Sequence, residues 1–450
     1  MVLSLSPPGP KGYQQIRKLL EFGRDPLNFL LQFTREYGDL GYLGALGVHF
    51  YLFNHPDLIE YVLVTNNKNF IKDRGLRIPS LRKIFGNGLL TSEGEFWIRQ
   101  RRLAQPAFHR EKIATYGEVM VESTERMINN WRPGEMHDIH QDMMHLTLEI
   151  VVKTLFGART MFEKQDVAEA IEVISRYFSS QSAYILPFSF LPTPRQIRLW
   201  RAIKKLDGII HQIIRERRES GSGQDDLLSL LLDAQDDDGS RMTDRQLRDE
   251  VMTLFLAGHE TTALSLTWTW YLLALHPEIE RKLVAELKET LNDRSVTVAD
   301  LSRLSYLEMV VKESMRLYPP AWMIGREALH GFEINGYFIP GGAQVSMSPW
   351  VMHRDQRYFD QPEEFRPERW ASEQIRQLPK YAYFPFGGGP RLCIGNSFAL
   401  MEAKLILATI AQKFHLDLVP AQTVKPLPSI TLRPKNGIKV YLREITKKTK

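Results

Sequence analysis

The chain has 450 residues, 43% of them hydrophobic and 25% charged, with a net charge of +5. That apolar content supports a sizeable core and excludes global disorder, while the even mixture of acids and bases excludes a nucleic-acid surface. One cysteine, Cys393, excludes an internal disulfide and any multi-cysteine zinc or iron–sulfur site, and fits a reducing compartment such as the cytoplasm.

Met1–Ser6 is too short for a signal peptide or an integral membrane anchor, and it leads into the stiff proline-rich start that ends at Gly12. A strand pair is expected at Leu40–Ala45 and Val48–Phe53. Ser92 and Glu95 form a capping-box pattern ahead of a helix over Phe96–Gln105, which Pro106 should end. Loops are expected at Glu219–Asp225 and Asp236–Ser240. Thr243 and Gln246 form a second capping-box pattern, and the helix they open should run to Leu275, where Pro277 stops it. At about 1.5 Å per residue it would be roughly 45–50 Å long. Its second half is apolar nearly all round, which places it through the middle of the molecule. Ala263–Leu275, the longest apolar stretch, contains Ser and Thr and falls short of the roughly 20 residues of a membrane span. Further helices fit 278–291, 305–317 and 396–414, and Asn335-Gly336 marks a hairpin between Phe332–Ile334 and Tyr337–Ile339. The expected fold is mainly α with a small β region, in a single domain over 1–450.

The chemistry concentrates between Phe384 and Gly395, F-P-F-G-G-G-P-R-L-C-I-G. The glycines let the backbone turn tightly and approach a flat ligand, because no Cβ intervenes. Backbone N–H groups at the following helix start can stabilise a thiolate, Arg391 offers a permanent charge for a carboxylate, and Phe386 can shield the sulfur. A lone cysteine is usually a small buried hydrophobe, but such a residue needs neither a glycine-rich loop nor a neighbouring arginine.

The spacing Phe386-x-x-Gly389-x-Arg391-x-Cys393-x-Gly395 resembles the haem-ligand signature of the cytochrome P450 family at every fixed position. The resemblance extends over most of the chain. It implies the P450 fold, with haem b between the long central helix and the loop of Cys393, the axial ligand of the iron. Glu313 and Arg316, three apart on one helix, with Arg369 in Pro367-Glu368-Arg369-Trp370, resemble the family's structural Glu-Arg-Arg cluster. Ala257-Gly258-His259-Glu260-Thr261-Thr262 resembles its oxygen-activation segment. There Gly258 and Ala257 would face the haem, Thr261 would bond back to a carbonyl or to bound oxygen, and Glu260 would relay protons from solvent. His259-Glu260 does not open a zinc-protease motif, because Ala263 stands where a second histidine is needed. Trp97, Arg101, Arg326 and Arg391 correspond to groups that hold the haem propionates, with His353 a further contact. Leu89, Leu90, Leu254, Ala257, Thr261, Ala321, Trp322, Met323 and Ile430 fall at pocket positions and imply an apolar substrate held by shape.

The implied reaction is R–H + O₂ + 2e⁻ + 2H⁺ → R–OH + H₂O, on a fatty acid, a terpenoid or a carotenoid-like molecule. Electrons would come from a separate ferredoxin or flavodoxin with its reductase, docking on a basic face of Arg99, Arg102, Arg110, Lys112 and Lys404. A fatty acid would call on a cation among Arg74, Arg77 and Arg82. Two alternatives stay open: a haem-thiolate enzyme that rearranges its substrate or uses peroxide, against which the intact Glu260-Thr261 pair counts, and a haem-binding sensor.

Overall fold

The computed structural model describes residues 6–45, 48–156, 169–171, 173–174, 177, 193–220, 226–236 and 239–445. Contacts divide the chain into two compact units, one of Met1–Arg82, Arg316–Glu364 and Ser372–Cys393, the other of Lys83–Met315, Phe365–Ala371 and Ile394–Lys450.

The first unit carries the main sheet. Its strands lie in the order Leu40–Ala45, Val48–Phe53, Gln344–Met347, Ile324–Ala328 and Phe70–Lys72. Val48–Phe53 runs parallel to Gln344–Met347, and the other pairs are antiparallel. The hairpin at Asn335-Gly336 forms as its sequence demands, with both turn residues at positive φ, 51° and 77°. The proline-rich start joins the sheet through the Pro8 carbonyl, which accepts the Tyr42 N–H at 2.8 Å. A core of Leu40, Phe53, Ile59, Val345, Met347 and Phe384 closes over these strands.

The second unit is built around the helix Asp244–Leu275. Thr243 and Gln246 form the expected capping box: the Thr243 N–H reaches Gln246 Oε1 at 2.8 Å and the Gln246 N–H reaches Thr243 Oγ1 at 3.3 Å. From Thr262 to Trp270 every residue is buried, as a central helix requires. It packs against helices Ile139–Phe156, Pro194–Ser220 and Asn396–Ala411 and strand Phe414–Leu418. Among the described residues no helix is long and apolar enough to cross a membrane.

Four boundaries differ from expectation. The pattern Ser92/Glu95 does not make a capping box. The N–H groups of Thr91 and Ser92 turn back to the Gly88 carbonyl, so Glu93 becomes the N-cap and the helix runs Gly94–Ala104. Pro106 sits inside a 3₁₀ turn, Gln105–Phe108, that extends this helix. The long helix does end at Leu275 as expected, but the next helix, Pro277–Leu291, starts one residue early, at Pro277, where the missing N–H costs nothing. The helix expected to 414 ends at Ala411, because Phe414 is already paired in a strand. Of the loop expected at 219–225, residues 221–225 lie outside the described ones.

Candidate active site

In the first unit, the cysteine loop closes on itself. The Cys393 N–H donates to the Phe386 carbonyl at 3.1 Å. Gly389 has φ +64°, and a Cβ there would run into the Leu63 carbonyl, so only glycine lets the loop sit so close. The loop leaves Cys393 exposed, and the next helix begins three residues on, at Asn396. Arg326 is buried in the strand Ile324–Ala328, where its Nη1 donates to the Gly325 carbonyl at 2.8 Å. His353 does not stand open to a ligand. It is fully buried, its Nε2 accepts the Phe384 N–H at 3.0 Å, and its ring lies against Tyr383 and Phe384. His353 therefore braces the start of the cysteine loop.

Arg316 is also fully buried in this unit. Its Nη1 donates to the carbonyls of His353 and Pro362 at 2.8 and 2.6 Å, and its Nη2 to that of Glu364 at 3.0 Å. In the second unit Glu313 is the hub. It accepts Arg369 Nε at 2.8 Å, the Arg366 N–H at 3.0 Å and the Trp370 indole N–H at 2.9 Å. Such a buried acid persists only because every approach to it is a donor. Trp370 was legible only as part of a motif; the indole that completes the acid's shell carries no signal of its own in sequence.

The second unit holds the oxygen-side candidates. Within the otherwise buried stretch of the long helix, Leu254, Ala257, Gly258, Glu260 and Thr261 remain accessible. Leu254, Ala257 and Thr261 are spaced to share one face. Thr261 Oγ1 donates to the Ala257 carbonyl at 2.8 Å, the back-bond its sequence context predicts. Glu260 is held by partners that the sequence did not suggest: Oε1 accepts the Thr431 hydroxyl at 2.8 Å and pairs with Arg433. His259 points the other way, fully buried, its Nδ1 at 3.2 Å from the Phe255 carbonyl, and burial lowers its pKa. Nearby His140 is pushed down to about 4 by burial and by the positive Arg433. Trp97 is buried, and with Arg101, Arg102, Gln105 and His109 it lines a cleft of about 430 Å³. Arg101 Nε is steadied by Gln105 at 3.0 Å.

The donor set and the cradle suit a haem. An exposed sulfur sits on a glycine-built loop, and the accessible residues of the long helix include the small Ala257, Gly258 and Thr261. A profile of the cytochrome P450 family matches residues 7–441.

The chain belongs to the cytochrome P450 family. This P450 is 37% identical over 431 residues to cyclooctatin synthase of Streptomyces melanosporofaciens, covering 94% of this chain and 92% of that one. It is 38% identical over 406 residues to cyclooctat-9-en-7-ol 5-monooxygenase of the same organism, covering 89% and 87%. Pentalenene oxygenase of Streptomyces avermitilis is 33% identical over 412 residues, with 91% of each chain covered. Among solved structures, a cytochrome P450DA heme domain superposes with a TM-score of 0.88 at 29% identity over 98% of both chains. A retinoic acid-bound cyanobacterial P450 gives 0.86 at 25% identity, over 98% of this chain and 99% of that one. The fold is thus the P450 fold, and this P450 is a haem-dependent monooxygenase that works with O₂, a substrate and a redox partner.

The basic face expected for that partner is partly offset by acids. Arg99 and Arg102 share Asp236, and Lys404 lies 3.4 Å from Glu308. The side chain of Arg110 lies outside the described ones.

Proposed function

We propose that this P450 hydroxylates an apolar terpenoid, with haem b ligated by Cys393 and electrons delivered in the cytoplasm by a separate ferredoxin or flavodoxin and its reductase. The observation that carries the substrate class is the fate of the cations a fatty acid would need. Arg74 Nε lies 3.2 Å from Glu327, and Arg77 pairs with the same carboxylate. Two of the three cations thus already share a carboxylate and only the exposed Arg82 is left for a substrate carboxylate, whereas a terpene asks for nothing charged. The terpenoid names of the bacterial relatives agree.

Cys393 supplies the thiolate, Phe386 shields it, and Arg391, Arg326, Arg101 and Trp97 hold the propionates. Bound there, the haem would supply the binding and activation of dioxygen. Ala257 and Gly258 keep the helix surface low, so that a flat group can lie against it. The Thr261 hydroxyl, parked on the Ala257 carbonyl, has lone pairs free to accept a proton-bearing neighbour. Glu260 brings protons toward it, and Arg433 and Thr431 hold its carboxyl group in place. Leu89, Leu90, Leu254 and Ile430 in the second unit, and Ala321, Trp322 and Met323 in the first, stand at positions that the family resemblance gives to the substrate.

The test is the spectrum of the reduced protein with carbon monoxide, followed by turnover of a panel of cyclic terpenes, terpene alcohols and straight-chain fatty acids with a generic ferredoxin system. A strongly red-shifted Soret band, lost in Cys393→Ser, together with terpene hydroxylation, supports the proposal. An ordinary histidine-haem band, or turnover of fatty acids alone, refutes the ligand or the substrate class respectively.

A further inference from the structure

Three consecutive side chains of the long helix, Arg248, Asp249 and Glu250, hold one short loop. Arg248 Nη1 donates to the Ile84 carbonyl at 2.9 Å and to Asp249 Oδ1 at 2.9 Å, and the same guanidinium pairs with Asp207. Asp249 Oδ2 accepts the Asn87 N–H at 2.8 Å. Glu250 Oε2 accepts the Leu89 N–H at 2.9 Å. All three residues are buried. The contact is close enough that a Cβ on Gly88 would strike the Thr253 hydroxyl and the Asp249 backbone.

The loop is also tied to itself. Thr91 Oγ1 donates to the Gly86 carbonyl at 2.9 Å, and the Thr91 N–H to the Gly88 carbonyl at 3.0 Å. A loop closed in this way moves as a body, so the N–H anchors at Asn87 and Leu89 set its height over the helix. Leu89 and Leu90 ride on it.

Glu250 is set apart from the other two anchors by its place on the helix. At about 100° per residue, it lies within about 40° of Leu254, Ala257 and Thr261, so it continues the accessible stripe by one turn. Its second oxygen, Oε1, is buried with no hydrogen-bond partner among the described residues. A charged carboxylate left so is more costly than a neutral acid, whose carbonyl can accept the Leu89 N–H. In agreement, burial, with the Asp249 charge adding, pushes its pKa up to about 8.

We propose that Glu250 is the positioning residue of the substrate wall: through the Leu89 N–H it fixes Leu89 and Leu90 over the Leu254–Ala257–Thr261 stripe, and so decides which carbon of the substrate is oxidised. This rests on Leu89 and Leu90 lining the substrate pocket, as assigned above.

The test uses purified holoenzyme with a terpene that the wild type hydroxylates. Glu250→Gln keeps a carbonyl for the Leu89 N–H and should retain the product ratio, the coupling of NADPH to product, and substrate affinity. Glu250→Ala should keep the reduced-carbon-monoxide band but weaken substrate binding and redistribute the products, because the freed Leu89 N–H no longer holds the loop in place. Glu250→Asp, which is too short to reach, should redistribute them in the same direction and serves if the alanine variant loses its haem. Wild-type product ratios in both Ala and Asp variants would overturn the proposal, as would a Gln variant that behaves like Ala. Leu89→Phe and Leu90→Phe separate the premise. If they shift the products while Glu250→Ala does not, the wall stands and the role of Glu250 falls; if they shift nothing, the wall assignment itself fails.

Discussion

At the residue scale, the buried acids illustrate how environment sets the state of a side chain. Glu402, wholly buried on the helix that follows the cysteine loop, is pushed up to about 8 by desolvation, eased only slightly by the neighbouring Thr262 hydroxyl. The folded protein therefore keeps a proton on Glu402 that the unfolded chain, with its ordinary value of 4.5, has released. Stability from this group is fully present at low pH and declines as pH rises from the unfolded toward the folded value. Glu402→Gln should remove that decline, so its thermal midpoint should gain on the wild type by a widening margin as pH goes from about 5 to 8, at up to about 1.4 kcal/mol per unit. Thr261→Ala should retain the haem and divert electrons to peroxide, read as NADPH consumed without product; tight coupling in that variant would remove Thr261 from the proton path. The Thr261 back-bond was legible because it is local, four residues up the same helix. The clamp on Glu260 was not, because Thr431 and Arg433 lie far along the chain and nothing in their own sequence marks them as partners.

At the scale of elements, boundaries were legible where a short-range signal acts alone. The Thr243/Gln246 box and the Asn335-Gly336 turn are such signals, and both formed as expected. Ser92/Glu95 is the same signal overridden by its neighbours, since the preceding turn captures the N–H groups of Thr91 and Ser92. The helix after Cys393 was overrun because apolar periodicity continues smoothly into a strand, and only pairing with residues 439–444 marks the change. Thr243→Ala should lower stability by about 1 kcal/mol, measured by denaturant titration, through loss of one cap. Arg369→Ala is a larger insult, because it strands a fully buried Glu313; a loss of about 3–5 kcal/mol is expected, with poor haem retention on purification. Near-normal haem content in that variant would mean that Trp370 and the Arg366 N–H alone satisfy the acid.

At the scale of the whole molecule, a net charge of +5 says little about docking until the pairs are counted. Asp236 pairs with both Arg99 and Arg102, on the helix that carries Trp97 and Arg101, and so offsets one of their two charges, while Arg102 keeps half of its surface in solvent. If an acidic donor docks there, Asp236→Asn should release both guanidinium groups, raise the rate of reduction a few-fold at low ionic strength and steepen its fall with salt. A rate and salt slope unchanged from wild type would place the docking face elsewhere. The composition could not reveal this, because acids and bases alternate along the chain and only folding decides which of them meet.

The exposed position of the only cysteine has a practical corollary. A maleimide or other thiol reagent has one address on this polypeptide, and a sulfur engaged as an iron ligand is not available to it. The moles of label taken up by a preparation would therefore count the molecules without cofactor, independently of any absorbance. The same thiol should let cofactor-free protein form covalent dimers under oxidising handling, so a reductant-sensitive dimer on a gel would serve as an early warning of cofactor loss.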